Sequence, residues 1–100
     1  MGEGVLPVIV VITPSQPEPG SVVDVGVTFD KIASSNQTVA ISGAPAGFFS
    51  FVPSQVTLQA GRDELTFQAT LSATATGGGS ITASCNGGSA TGHCQSTVID

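Results

Sequence analysis

Pro53-Ser54-Gln55-Val56-Thr57-Leu58-Gln59-Ala60-Gly61, followed closely by Leu65-Thr66-Phe67-Gln68-Ala69-Thr70-Leu71, decides the fold of this chain. Val56, Leu58 and Ala60 alternate with polar residues, a glycine turns the chain, and Leu65, Phe67, Ala69 and Leu71 alternate again. Side chains of a strand point to opposite faces every second residue, so each segment lays an apolar edge against a wet one. Two such segments around a turn predict strands of a β-sandwich.

Working outward, Val22 to Asp30 has the cleanest alternation, with Val23, Val25, Val27 and Phe29 on one face, and predicts a central strand. Val5 to Ile12 is apolar on both faces, and its Val8 to Ile12 run predicts burial between two sheets, with an edge that pairs with another chain or domain as the alternative. Thr13 to Gly20 then carries three prolines that cannot donate to a ladder. Short strands follow at Thr38 to Ser42, Phe48 to Val52, Val56 to Ala60 and Leu65 to Ser72. Gly77-Gly78-Gly79 reads as a loose turn into Ile81 to Cys85, and Cys94 to Ile99 closes the chain. No stretch shows helical spacing. The expectation is an all-β, Greek-key sandwich of seven or eight antiparallel strands. Its core would come from Val23, Val25, Val27, Phe29, Val39, Ile41, Val56, Leu58, Leu65, Phe67, Leu71, Ile81 and Val98.

Composition narrows the function. One hundred residues suit one domain, 1–100. Only 9% of them are charged, against about 25% in an average soluble domain, and Ser, Thr, Gln and Asn fill the polar positions. Seven acids against Lys31 and Arg62 leave a net charge of -5, which excludes a phosphate-neutralising nucleic-acid surface. The longest apolar run, Val8 to Ile12, is far below the roughly 20 residues of a membrane helix, so no membrane insertion is expected. The N-terminus has no basic region leading into a long apolar stretch, so no signal peptide is read there. Two cysteines and a hydroxyl-rich surface point to an oxidising, extracellular or cell-surface setting.

With its segments placed, the chain resembles the bacterial Ig-like modules of secreted and cell-surface proteins. The resemblance rests on Pro53 to Gly61, the alternating Leu65 to Leu71 and Ile81-Thr82-Ala83. It implies an Ig-like module excised from a longer chain, a structural spacer or adhesion element whose partners are neighbouring modules or a surface protein. The alternative is an accessory module that binds a glycan or polymer for a secreted enzyme. The chain departs from antibody-type domains in having no Trp and in cysteines only nine positions apart.

Cys85 and Cys94 flank Asn86 to His93, which reads as a hairpin loop, and a cross-hairpin disulfide is the simplest reading. Closing a loop of about ten residues would add on the order of 2.5 to 3 kcal/mol. A redox switch and a metal site with His93 are the alternatives, but structural zinc takes four ligands and the chain has one His, so neither metal nor cofactor is expected. The acids Asp24, Asp30, Asp63 and Glu64 form no calcium-loop pattern and read as solvated charge. Asn36-Gln37-Thr38 fits a glycosylation sequon. No nucleophile-elbow pattern is present, and His93 and Cys94, as strand neighbours, point to opposite faces, so the module reads as non-catalytic. If Phe49 and Phe51 face the core, Phe48 falls on the outer face. The candidate ligand surface is therefore Phe48, Asn86, Ser89, Thr91 and His93, against the simpler expectation of core packing and a passive loop.

Overall fold

The computed structural model describes residues 5–13, 16–44, 47–75 and 77–96. Eight strands run in chain order: β1 Pro7–Thr13, β2 Val22–Phe29, β3 Gln37–Ala44, β4 Phe49–Phe51, β5 Gln55–Leu58, β6 Glu64–Leu71, β7 Gly77–Cys85 and β8 Gly88–Ser96. They form two four-stranded antiparallel sheets, β1-β2-β6-β4 and β5-β3-β7-β8, and among the described residues there is no helix. The all-β sandwich is as expected. Val98, placed in the expected core, lies outside the described residues.

The alternating valines make β2 the inner strand of its sheet. It pairs with β1 on one side and β6 on the other, and Val23, Val25, Val27 and Phe29 are buried. Across the interface they meet Val39 and Ile41 of β3, Leu58 of β5, and Ile81 and Ala83 of β7 in one continuous core. Leu65, Phe67 and Val56 are partly buried at its margin.

The structure corrects three expectations. β1 is an edge strand and is not buried on both faces: Val10 and Ile12 point inward, whereas Val8, Ile9 and Val11 are more than half exposed. A register irregularity between Pro7 and Ile9 puts Val8 and Ile9 both outside. The three glycines Gly77-Gly78-Gly79 belong to β7 rather than to a turn, pairing with Ser96, Gln95 and Cys94. The Phe assignment is inverted. Phe48 is buried at 3% exposure and Phe51 is the open ring at 57%. β4 is only three residues long and irregular between Phe49 and Phe51, so simple alternation does not carry through it. The Phe48 ring lies on Gly79, edge-to-face with Phe49 at 4.9 Å and 73°.

The two sheets meet along β1 and β8. Leu6 abuts Gly88 and Val10 abuts Gly92, so the two strands advance together and run in the same direction. Gly88, Ala90 and Gly92 on the inner side of β8 leave room for that approach.

Candidate functional site

The hairpin joining β7 to β8 has a two-residue turn. Asn86 and Gly87 both have positive φ, 53° and 88°, the geometry of a type I′ turn, for which Asn-Gly is a favoured sequence. The expected loop from Asn86 to His93 is thus almost entirely strand. Its inward residues are small and carry no hydrophobic signal, which is why Gly88, Ala90 and Gly92 read as loop.

This register corrects the disulfide. Cys85 pairs with Gly88, while Cys94 pairs with Gly79, six residues along β7 from Cys85. Six residues of strand span about 20 Å, and bridged cysteines need Cα atoms within roughly 7 Å. Both cysteines are free thiols, buried in the core. The Cys85 thiol donates to the Thr38 carbonyl at 3.5 Å and accepts from Asn86 Nδ2 at 3.2 Å. Burial pushes both thiols above their ordinary pKa, an effect that a backbone hydrogen bond with Gly79 opposes at Cys94.

Two results are expected. Reducing agent leaves the urea midpoint unchanged, where loss of a staple would cost about 2.5 to 3 kcal/mol. A thiol reagent counts two cysteines in denaturant but reacts slowly with the native protein. Raised folded-state thiol pKa values also fix a sign. Below the unfolded thiol's pKa both states keep the proton and stability is level. As pH rises past it only the unfolded state ionises, so stability falls. Urea melts from about pH 7 to about pH 10 read that slope; a rise, or a midpoint sensitive to reductant, would contradict the free, buried thiols.

The remaining predicted residues separate into two groups. Ser89, Thr91 and His93 share the outer face of β8 with Gln95, and Cys94 points inward, as strand alternation requires. Phe48 is on the core side of the same sheet and takes no part in that face. Opposite these residues on β7 stand Ser84, Thr82 and Ser80, and the Thr82 and Thr91 hydroxyls meet at 2.9 Å. Ala40, Ser42 and Ala44 of β3 continue the face. Among these residues none carries a carboxylate, ammonium or guanidinium.

At one end of this face lies an open depression of about 700 Å³, bordered by Gln16, Ala44, Ser80, His93 and Gln95, with Gly78 and Gly79 also lining it. The absence of a side chain at Gly78, on the outer parity of β7, leaves the hollow open, whereas Gly79 faces the core beneath the Phe48 ring. It went unread in the sequence because the glycines look like a turn and Gln16 and Ala44 are distant in the chain. Its polar side chains are the Gln16 and Gln95 amides, the Ser80 hydroxyl and the His93 imidazole, set in a lining that is otherwise mostly apolar and without a carboxylate, ammonium or guanidinium, which suits an uncharged ligand. No cluster of three metal-ligating side chains occurs among the described residues. Asn86, at the opposite end of β8, donates from Nδ2 to the Val5 carbonyl at 2.9 Å and to Gln37 Oε1 at 3.1 Å.

In comparisons with known proteins, no family model matches the chain and no curated protein matches it.

Proposed function

We propose that this chain is a non-catalytic Ig-like module that holds apart neighbouring segments of a secreted or cell-surface protein, as a spacer or adhesion element. The observation that carries the reading is the path of the terminal strands. The described chain begins at Val5, fastened to Asn86 beside the β7–β8 turn, and β1 and β8 then run in the same direction. It leaves the described region at Ser96, whose hydroxyl donates to the Ala75 carbonyl at the other end of β8. Attachments at 5 and 96 therefore lie at opposite ends of β8, roughly 30 Å apart along the strand, in a body 54 Å long and 20 by 15 Å across. Tension between them acts along the strands, so the β1–β2 and β7–β8 ladders must slide rather than unzip. The low charge and hydroxyl-rich faces suit an extracellular setting.

The test joins two copies in tandem and measures small-angle scattering. End-to-end linkage lengthens the particle by at least the roughly 30 Å of β8 and by up to the 54 Å length of the module. A gain nearer the 20 Å width means that the copies fold side by side, and the spacer reading fails.

A second reading, an accessory module that binds a neutral glycan or polymer, draws on the depression beside His93. Burial of Phe48 removes its expected aromatic platform. Titration with neutral oligosaccharides, followed by amide NMR, supports this reading if shifts gather at Ser80, His93 and Gln95. A silent spectrum leaves the spacer alone.

A further inference from the structure

Asn86 joins three parts of the chain through one side-chain amide. Nδ2 faces the Val5 carbonyl at 2.9 Å, Gln37 Oε1 at 3.1 Å and Cys85 Sγ at 3.2 Å. The segment at Val5 and Leu6 also packs Leu6 on Gly88, and its other hydrogen bonds go to the other sheet, where the Leu6 N–H donates to Asp30 Oδ1 at 2.9 Å and the Asp30 N–H donates to the Leu6 carbonyl at 3.0 Å. Among the described residues Asn86 thus supplies the side-chain hydrogen bond between the N-terminal segment and the β7–β8 hairpin.

The same residue precedes a glycine. Gly87 lies outside the β7–β8 ladder, and nothing occupies the space where its Cβ would stand. We propose that Asn86 is a self-converting latch, in which attack by the Gly87 backbone nitrogen turns the amide that fastens the N-terminal segment into a carboxylate that cannot. The Gly87 nitrogen loses its proton and bonds to Asn86 Cγ, the Cγ–Nδ2 bond breaks, and ammonia leaves, closing a five-membered imide. Water then adds to either imide carbonyl and opens the ring to an aspartyl or isoaspartyl linkage. No oxidant or reductant takes part.

The product cannot restore the tie. An ionised carboxylate only accepts hydrogen bonds, and the Val5 carbonyl is itself an acceptor fixed in the backbone. Gln37 could offer Nε2 only by abandoning the Ser35 carbonyl and Ser35 Oγ, each at 3.2 Å. The isoaspartyl product also lengthens the backbone within a two-residue turn, where loop length sets the register. While the latch is closed the amide is held in place, so conversion proceeds through openings of the N-terminal segment and records them irreversibly. This inference is independent of the spacer reading.

The chain contains one other asparagine, Asn36, which serves as an internal control. It is followed by the bulky Gln37 in β3, and its Oδ1 accepts from the Ala60 N–H at 3.0 Å. Purified protein is incubated in warm, mildly alkaline buffer and its peptides are mapped by mass spectrometry. Acid is expected at Asn86 well ahead of Asn36, with isoaspartyl present; equal conversion, or an unchanged Asn86, overturns the chemistry. Asn86→Asp and Asn86→Gly test the latch itself, and both keep a turn sequence suited to type I′ geometry. Amide hydrogen exchange at Leu6 is expected to quicken by up to about tenfold in both variants, the scale of one net hydrogen bond, while β6 amides keep their rates. Exchange at Leu6 equal to that of the unaltered protein in both variants overturns the latch.

Discussion

Phe48→Ala is expected to destabilise the protein by about 3 to 5 kcal/mol, a large part of the 5 to 15 kcal/mol typical of a domain. Gly79→Ala is expected to cost about 1 to 3 kcal/mol. The second figure runs against backbone preference, since alanine in a strand gains roughly 0.5 to 1 kcal/mol over glycine. Contact decides it: a Cβ at residue 79 would lie 2.3 Å from Cδ2 and Cε2 of Phe48 and 2.9 Å from its Cγ. Because Cγ is the root of the ring, rotation about the ring axis does not relieve the overlap. The whole side chain must leave a site where it is 3% exposed and packed edge-to-face on Phe49. The two losses have one cause, so they do not add. Phe48→Ala combined with Gly79→Ala is expected to be more stable than the sum by about 0.5 to 3 kcal/mol, read as urea midpoints at constant slope. Strict additivity would mean that the ring does not rest on Gly79.

That pair also explains what could be read from the sequence. β2 and β6 were legible because Val23, Val25, Val27, Phe29 and Leu71 announce their inward face by size. β8 and the start of β7 were illegible because their inward positions include Gly79, Gly88, Ala90 and Gly92, kept small by what packs on them. A glycine required for close approach looks the same in a sequence as a glycine required for a turn. The true turn glycine in this hairpin is Gly87, at φ 88°. Mistaking strand for loop then carried through to the site. It suggested a disulfide across a loop that does not exist, although strand parity correctly put His93 and Cys94 on opposite faces. The depression beside His93 depends on long-range placement of Gln16 and Ala44, and no local pattern reports that.

Gly92→Ala is expected to cost about 2 to 3 kcal/mol, beyond ordinary surface change and within the range of core overpacking. A Cβ there would lie 2.5 Å from the Val10 carbonyl oxygen, 2.9 Å from its carbon and 2.8 Å from Val10 Cγ1. A side chain can turn aside, but the Val10 backbone is held in the β1–β2 ladder opposite Val27. Relief therefore requires β1 to draw back as a unit, loosening Val10 and Ile12 from the core. Gly88→Ala provides the contrast four residues earlier on the same face of β8. Its nearest neighbour would be Leu6 Cδ2 at 2.9 Å, the free end of a side chain that is 39% exposed. Leu6 can change rotamer, so this variant is expected to stay within about 0.5 kcal/mol of the unaltered protein. Hydrogen exchange across 7–13 should quicken in Gly92→Ala and not in Gly88→Ala. If the two variants lose equal stability, β1 is not seated on β8 through the Val10 backbone. The parallel terminal strands, on which resistance to end-to-end tension depends in the spacer reading, would then lack their central contact.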